Sequence, residues 1–352
     1  MTPIYRCPSR RWLVCCAVFL FPFSIFQFLF SNFASAQQEI ELRSKARLFG
    51  NLGPGVTALK RDAAGRYFVL ASVPDGLGSV VYIFDATGKR LGQIPTMPAI
   101  LDSRQPAPLI QYADDFDLDA SGRIYVADRG SNAIKIFSPD GALERSVAVT
   151  APASVVALTD GEFVVTSMRP EKLVQIYDAK GKLAREFGEL VEIAARADLN
   201  RFLNIGRLAT DPDHHIYRAF TNLPEPTLRK YDRFGYALAE IELAAIDFLP
   251  TARAARREIQ RQDERGGTPA LKPTIRAVGV DPQSQHVWLG VGGLLVHCSA
   301  DGTRLATYRI FTAEGVRIEA VAILVEPDRL LVAADPIGIF ELPRPDKPSS
   351  PR

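Results

Sequence analysis

The chain has 352 residues, 47% of them hydrophobic and 23% charged, with a formal net charge of +2 and four cysteines. Three of the 42 Lys and Arg, and none of the 40 Asp and Glu, lie in residues 1–36, so the remainder carries 39 basic against 40 acidic side chains, a net charge of −1. A body this close to neutral has no electrostatic footprint for nucleic acid. With only Cys298 beyond residue 36 it has no intramolecular disulfide, so its 316 residues must hold the fold by a buried core, for which they are ample.

The chain opens with Arg6, Arg10 and Arg11, followed by WLVCCAVFLFPFSIFQFLF (Trp12 to Phe30), 19 residues of which 16 are apolar and none is charged. Ala34, Ser35 and Ala36 then form a small-residue cleavage site. A basic, an apolar and a small-residue region in this order make a secretory signal peptide, with cleavage expected after Ala36. The apolar run is nearly long enough to span a bilayer, so an uncleaved anchor is the alternative, and SRRWLV brushes the twin-arginine pattern. On any of these readings the body is exported, periplasmic or extracellular, and membrane-attached only if the segment is retained.

Beyond the leader stands a lone strand, QEIELRSKARLFG (38–50). Six copies of one unit follow, at 58–94, 115–141, 154–187, 207–243, 276–310 and, truncated, 319–342. Each alternates apolar and polar residues through a strand, a tight Asp/Gly turn, a second strand, a loop and a third strand. Five end in a second glycine turn, at Gly88, Gly141, Gly181, Gly235 and Gly302. So small a sheet cannot bury both faces alone, and like copies must pack on one another. Radial stacking about a channel meets that need. The expectation is an all-β fold over 37–343, a six-bladed β-propeller of four-stranded antiparallel blades with short helical insertions between blades. An open sandwich or two small barrels is the alternative. The sixth copy lacks its outermost strand, so 38–50 is expected to pair there and close the ring. A Pro-rich disordered tail is expected over 344–352.

The second copy, with its GRIYVADRGSNAIKIFSPDG (122–141), resembles an NHL repeat, and the fourth is similar in part. The other copies keep the turns but not the loop of Asp128 and Asn132. The whole body resembles a six-bladed NHL-type propeller. That family holds secreted lyases, RNA-binding modules and extracellular scaffolds, so the resemblance implies a fold and leaves function open.

Antiparallel strands put the turns after the first and third strands on one face of the disc. The loops after the second strand and the connections between blades lie on the other. Three connections are long: 95–113, which is Pro-rich; 188–204, with Leu190, Ile193, Ala194, Ala197 and Phe202 at helical spacing; and 244–273, with Pro250 near a helix start and Gly266-Gly267 at its stop. Long ordered insertions on a rigid scaffold are where function sits. In the third, Arg253, Arg256, Arg257 and Arg261 offer a partner-binding surface, although the interleaved Glu258, Asp263 and Glu264 also fit a simply solvated helix.

Aligned on their first turn, the copies place Thr57, Asp114, Asp115, Ser154, Arg207, Arg276 and Glu319 at the channel mouth on this face. Such a ring suits a zwitterionic or polar ligand or, through Asp114, Asp115 and Glu319, a hard cation such as calcium. Ion pairing within the ring is the alternative. The histidines do not converge at the mouth: His214, His215 and His286 fall in or beside tight turns, and His297 on a third strand. No metalloprotease or nucleophile-elbow motif is present, GVGG (290–293) reads as a turn, and Cys298 as a packed strand residue. Asp128 and Asn132 read as side chains that tie loop backbone. The expected protein is a monomeric, noncatalytic scaffold without cofactor that binds a protein, peptide or glycan on its loop-rich face. The alternative is a cation-dependent hydrolase or lyase with an acidic site at the mouth.

Overall fold

The computed structural model describes residues 40–50, 52, 55–73, 78–95, 110–243, 248–334 and 337–346. The leader and its cleavage site, most of the 95–113 connection and the last six residues lie outside the described residues. Strands β1 (Ile40–Arg43) and β2 (Ala46–Leu48) come first. Blade 1 is β3 (Val56–Arg61), β4 (Tyr67–Ser72), β5 (Ser79–Phe84) and β6 (Arg90–Ile94); blade 2 is β7 (Ala113–Leu118), β8 (Ile124–Asp128), β9 (Ala133–Phe137) and β10 (Leu143–Ala148). Blade 3 is β11 (Pro152–Ala157), β12 (Phe163–Ser167), β13 (Val174–Tyr177) and β14 (Leu183–Phe187); after helix α1 (Ala197–Leu203), blade 4 is β15 (Gly206–Thr210), β16 (Ile216–Phe220), β17 (Thr227–Tyr231) and β18 (Ala237–Glu242). Helix α2 (Leu249–Arg265) leads to blade 5, β19 (Ile275–Val280), β20 (Val287–Val291), β21 (Leu294–Cys298) and β22 (Arg304–Phe311). Blade 6 follows as β23 (Ala322–Val325), β24 (Arg329–Ala334) and β25 (Gly338–Pro343). This is a six-bladed β-propeller.

The blades read inward to outward in their burial. In blade 2, β8 and β9 (IYVAD, AIKIF) are buried throughout, whereas β10 (LERSVA) is exposed at all but Val147. Among the described residues, six apolar clusters occupy the six seams between neighbouring blades. The seam of blades 2 and 3, for example, is built from Tyr125, Ile134, Val155 and Phe163.

The two turn signals have separate causes. In the first turn an aspartate carboxylate accepts the backbone N–H four residues on: Asp62 from Arg66 at 2.8 Å, Asp119 from Arg123 at 3.0 Å and Asp211 from His215 at 3.0 Å. In the second, Gly235 has φ +96°, and a Cβ there would lie 2.6 Å from the Phe187 ring on the preceding blade. The Gly181 and Gly302 positions meet Val147 and Ile241 in the same way. Glycine is required there both for backbone conformation and for close approach of the preceding blade.

The lone N-terminal segment closes the ring. β2 pairs antiparallel with β25, Arg47 opposite Phe340. β1 adds something the sequence did not announce: it pairs parallel with β22 and makes blade 5 five-stranded. The expected tail begins with a buried residue. Arg344 is 4% exposed and ion-paired to Asp281 at 2.8 Å, and the chain stays packed through this contact.

The helical spacing read in 188–204 yields only the short α1. Upstream, side chains replace helical hydrogen bonds. Asn200 Oδ1 accepts the N–H groups of Ile193 and Ala194 at 3.0 and 2.9 Å, and Asn204 Oδ1 accepts that of Val191 at 2.9 Å. Leu190, Ile193 and Ala194 nonetheless pack on the seam of blades 3 and 4. α2 matches its signals, with Pro250 in its first turn and Gly266 at φ +75° ending it. Among the described residues no helix is long and apolar enough to cross a membrane.

Candidate functional site

The inner strands enclose a cavity of about 260 Å³ lined by Thr57, Lys60, Asp115, Asp117 and Arg207 among apolar neighbours. Its charged side chains come from blades 1, 2 and 4. Lys60 Nζ lies 3.0 Å from Asp117 Oδ1, and Asp117 Oδ2 accepts the Ala157 N–H at 2.9 Å. Asp115, 5% exposed, accepts the Phe116 N–H at 2.9 Å and the Ser154 hydroxyl, whose oxygen in turn accepts the Leu208 N–H at 3.0 Å. These contacts lace blades 1 to 4 around the channel. Burial raises the Asp115 carboxyl above its usual range, against the opposing pull of Lys60, Arg207 and the Ser154 hydroxyl. Burial works against the charge of Lys60, but Asp117 and Asp115 outweigh it and raise its pKa. Arg207 makes no ion pair within 4.0 Å among the described residues, so its guanidinium can receive an anionic group; Asp115 and Lys60 lie within its electrostatic reach.

Thr57, Asp115 and Arg207 line the channel as expected, whereas Ser154 is fully buried outside the lining and donates to Asp115. Asp114, Arg276 and Glu319 are not in its lining. Asp114 receives Arg129 Nε at 2.7 Å, within its own blade, while Arg276 and Lys272 hold Glu319 at 3.1 and 3.6 Å. For Asp114 and Arg276 the physical reason is a β-bulge: pairing skips from Ala113 to Asp115 in β7 and from Ile275 to Ala277 in β19, although the residue skipped in β3, Thr57, still reaches the lining; Glu319 precedes β23 and is held by its two cations instead. A bulge adds one residue, and a one-residue offset reverses the face of a side chain. Asp114, Asp115 and Glu319 therefore do not come together. Lys60 and Asp117 escaped the sequence reading, although a signal was present: each stands two residues before its turn aspartate, in consecutive copies, with opposite charge.

On the loop face the two helical connections brace one another. Asp263 accepts the N–H groups of Ala195 and Arg196 at 2.7 and 3.0 Å, and Arg196 donates to the carbonyls of Gln262 and Gly267 at 2.8 and 2.6 Å. α2 buries Ala252 and Ile259. Of the four arginines singled out, Arg256 pairs with Glu225 at 2.7 Å and Arg261 with Glu258 at 3.1 Å. Arg253 and Arg257, one turn apart, are exposed and have no partner among the described residues.

The remaining candidates hold structural posts. Asp128 accepts the N–H groups of Gln111 and Tyr112 at 3.0 and 2.9 Å and pairs with Lys135, and Asn132 accepts that of Ala151 at 2.9 Å. Cys298 is buried, and burial pushes its thiol up to about 11. His215 binds Asp211 in its turn. His286 and His297 do meet, at 2.9 Å, on the turn face away from the channel mouth.

No protein family model and no curated protein matches the sequence. Solved structures do match in fold. The chain is similar to the selenomethionine-substituted virginiamycin B lyase from Staphylococcus aureus, at 11% identity and TM-score 0.52, covering 87% of this chain and 100% of the lyase chain. A catalytically inactive variant of that lyase with quinupristin matches at 10% identity, TM-score 0.52 and the same coverage. The β-propeller domain of Myceliophteria thermophila Cps50 (Swd1) matches at 12% identity and TM-score 0.49, over 86% of this chain and 98% of that one. At these identities the likeness is one of fold.

Proposed function

We propose that this chain is an exported propeller of NHL type that acts as a noncatalytic scaffold, holding a protein, peptide or glycan on its loop-rich face. The observation that carries the reading is the braced platform of α2 and the 188–204 connection, which presents the unpaired guanidiniums of Arg253 and Arg257. Exposed arginines without internal partners on a hydrogen-bonded support favour an acidic partner, because a guanidinium fork matches carboxylate and sulfate geometry. The cation-dependent hydrolase or lyase needs Asp114, Asp115 and Glu319 in one site, and their separation favours the scaffold instead. Calcium is accordingly not part of the proposal.

The test is binding of the full chain to arrays of acidic peptides and of sulfated or uronate-containing glycans. R253E/R257E should lose the bound members of either array while melting like the parent chain. Binding that is indifferent to both substitutions, or absent from both arrays, would sink the reading.

A further inference from the structure

Two imidazoles and a carboxylate converge on the turn face, outside everything assigned above. His286 Nδ1 and His297 Nε2 are 2.9 Å apart, and these nitrogens and a carboxylate oxygen of Asp346 all lie within 4.8 Å of one another. We propose that His286, His297 and Asp346 bind a divalent transition-metal ion of copper or nickel type, between blade 5 and the segment that follows β25.

The donor set is two imidazole nitrogens and one oxygen, which suits late transition metals and not calcium or magnesium. The spacing permits chelation: metal–nitrogen bonds of about 2.0–2.1 Å hold two ligands about 2.9–3.3 Å apart, so the hydrogen-bonded separation of 2.9 Å needs little change to admit an ion. Copper and nickel are the late metals that most favour such nitrogen and oxygen donors.

Both imidazoles can present lone pairs. His297 is buried, 2% exposed, and its Nε2 faces His286 Nδ1. In the metal-free state one ring N–H lies between the two nitrogens; a tautomer shift of that ring moves the proton to its other nitrogen and frees both lone pairs. Asp346 is oriented by Arg344, which donates from Nε to Oδ1 at 3.1 Å and from Nη2 to Oδ2. Each carboxylate oxygen has a second lone pair for the ion. Arg344 is itself fixed by Asp281 at 2.8 Å. Such outer contacts are what hold a ligating carboxylate in place. The metal would join the end of blade 6 to blade 5.

The experiment is a copper(II) titration of the full chain carrying Trp12→Phe, which leaves Trp288 as its only tryptophan. The Trp288 indole stacks on the His297 ring, centroids 4.1 Å apart and planes at 8°, so an ion on His297 quenches its fluorescence. The expected result is saturable quenching at one ion per chain, reversed by EDTA, with affinity at least about tenfold weaker in H286A and in D346N. His286 is half-buried and Asp346 exposed, and melting curves in EDTA confirm that each variant folds. A second group on the same face, Asp211, Asp213 and His215, provides the control, and H215A should titrate like the parent. The proposal is overturned by the absence of saturable quenching, by quenching that survives both H286A and D346N, or by quenching that H215A abolishes.

Discussion

Replacing Phe49 with Ala tests how the ring is closed. Phe49 follows β2, is 5% exposed, and packs on Tyr67 and Phe84 of blade 1 with ring centroids 5.2 and 4.7 Å away. The strand it extends is hydrogen-bonded to blade 6. One side chain thus joins the last blade to the first, in a seam shared with Val56, Leu331 and Ile339. Truncating a buried phenylalanine costs about 3–5 kcal/mol, the lost transfer energy plus the cavity left behind. At about 2–4 °C per kcal/mol for a large domain, Tm should fall by about 6–20 °C. The control is Ile40→Ala on β1, where the side chain is 49% exposed and the change should stay within about 0.5 kcal/mol. Thermal unfolding followed by far-UV circular dichroism reads both. If F49A melts within about 2 °C of I40A, the blade 6–blade 1 seam does not depend on the N-terminal strand, and the closure argument is wrong.

Three further outcomes follow from the same geometry. Gly235→Ala adds a Cβ against Phe187 at positive φ and should cost about 2–4 kcal/mol through strain and overpacking, whereas Gly292→Ala, at φ +53° with nothing within 4 Å, should cost only about 1–2 kcal/mol; equal urea midpoints would refute the close-approach account. Burial, with help from the Asp119 carboxylate, raises the Tyr125 phenol to about 12, while the unfolded chain titrates near about 10. The folded state keeps that proton longer, so the contribution is full below pH 10 and is lost as pH rises toward 12; Y125F should flatten the decline in urea midpoint over that window, and an unchanged slope counts against it. Lys60→Met leaves the Asp117 carboxylate in the channel without its cation and should cost about 1–3 kcal/mol, against at most about 1 kcal/mol for Asp114→Asn on its half-exposed pair with Arg129; the reverse order would show that the wrong aspartate was placed in the channel.

The architecture was legible because it is written six times by local rules. A turn aspartate that satisfies the amide four residues on, and a glycine at positive φ, act within a few residues, and sequence shows such things directly. α2 was legible for the same reason, through Pro250 and Gly266. α1 was legible as helical spacing but its short extent was not, because Asn200 and Asn204 satisfy the backbone of 191–194 by side-chain contacts that no periodicity reveals. The meeting of His286 and His297 was partly recoverable. Gly292-Gly293 forms a two-residue hairpin, and counting back from Val291 opposite Leu294 sets Trp288 opposite His297, since loop length fixes register. Asp346 was beyond reach, because it arrives from outside the repeat.

The bulge in the inner strands decides which charges are available to a ligand. Pairing skips one residue in β3, β7, β11 and β19. In β7 the skipped residue, Asp114, turns to Arg129 in the loop of its own blade, and in β19 Arg276 turns to Glu319 in the following connection. The next residue in β7 and in β11, Asp115 and Ser154, turns inward and ties neighbouring blades together. Adjacent positions in the chain thus serve opposite duties, one bracing a loop and the other binding blade to blade. β15 has no such skip, and Arg207, at the same level as Asp115 and Ser154, enters the channel without a pairing carboxylate. Blades 5 and 6 meet the channel with apolar residues, Val278 and Ile323 among them, so nothing on that side neutralises it. Arg253 and Arg257 stand unpaired on the helical platform of the loop face, outside the channel lining. Neither arginine takes part in the polar lacing that holds blades 1 to 4, which is why the loop-face substitutions can test partner binding without disturbing it.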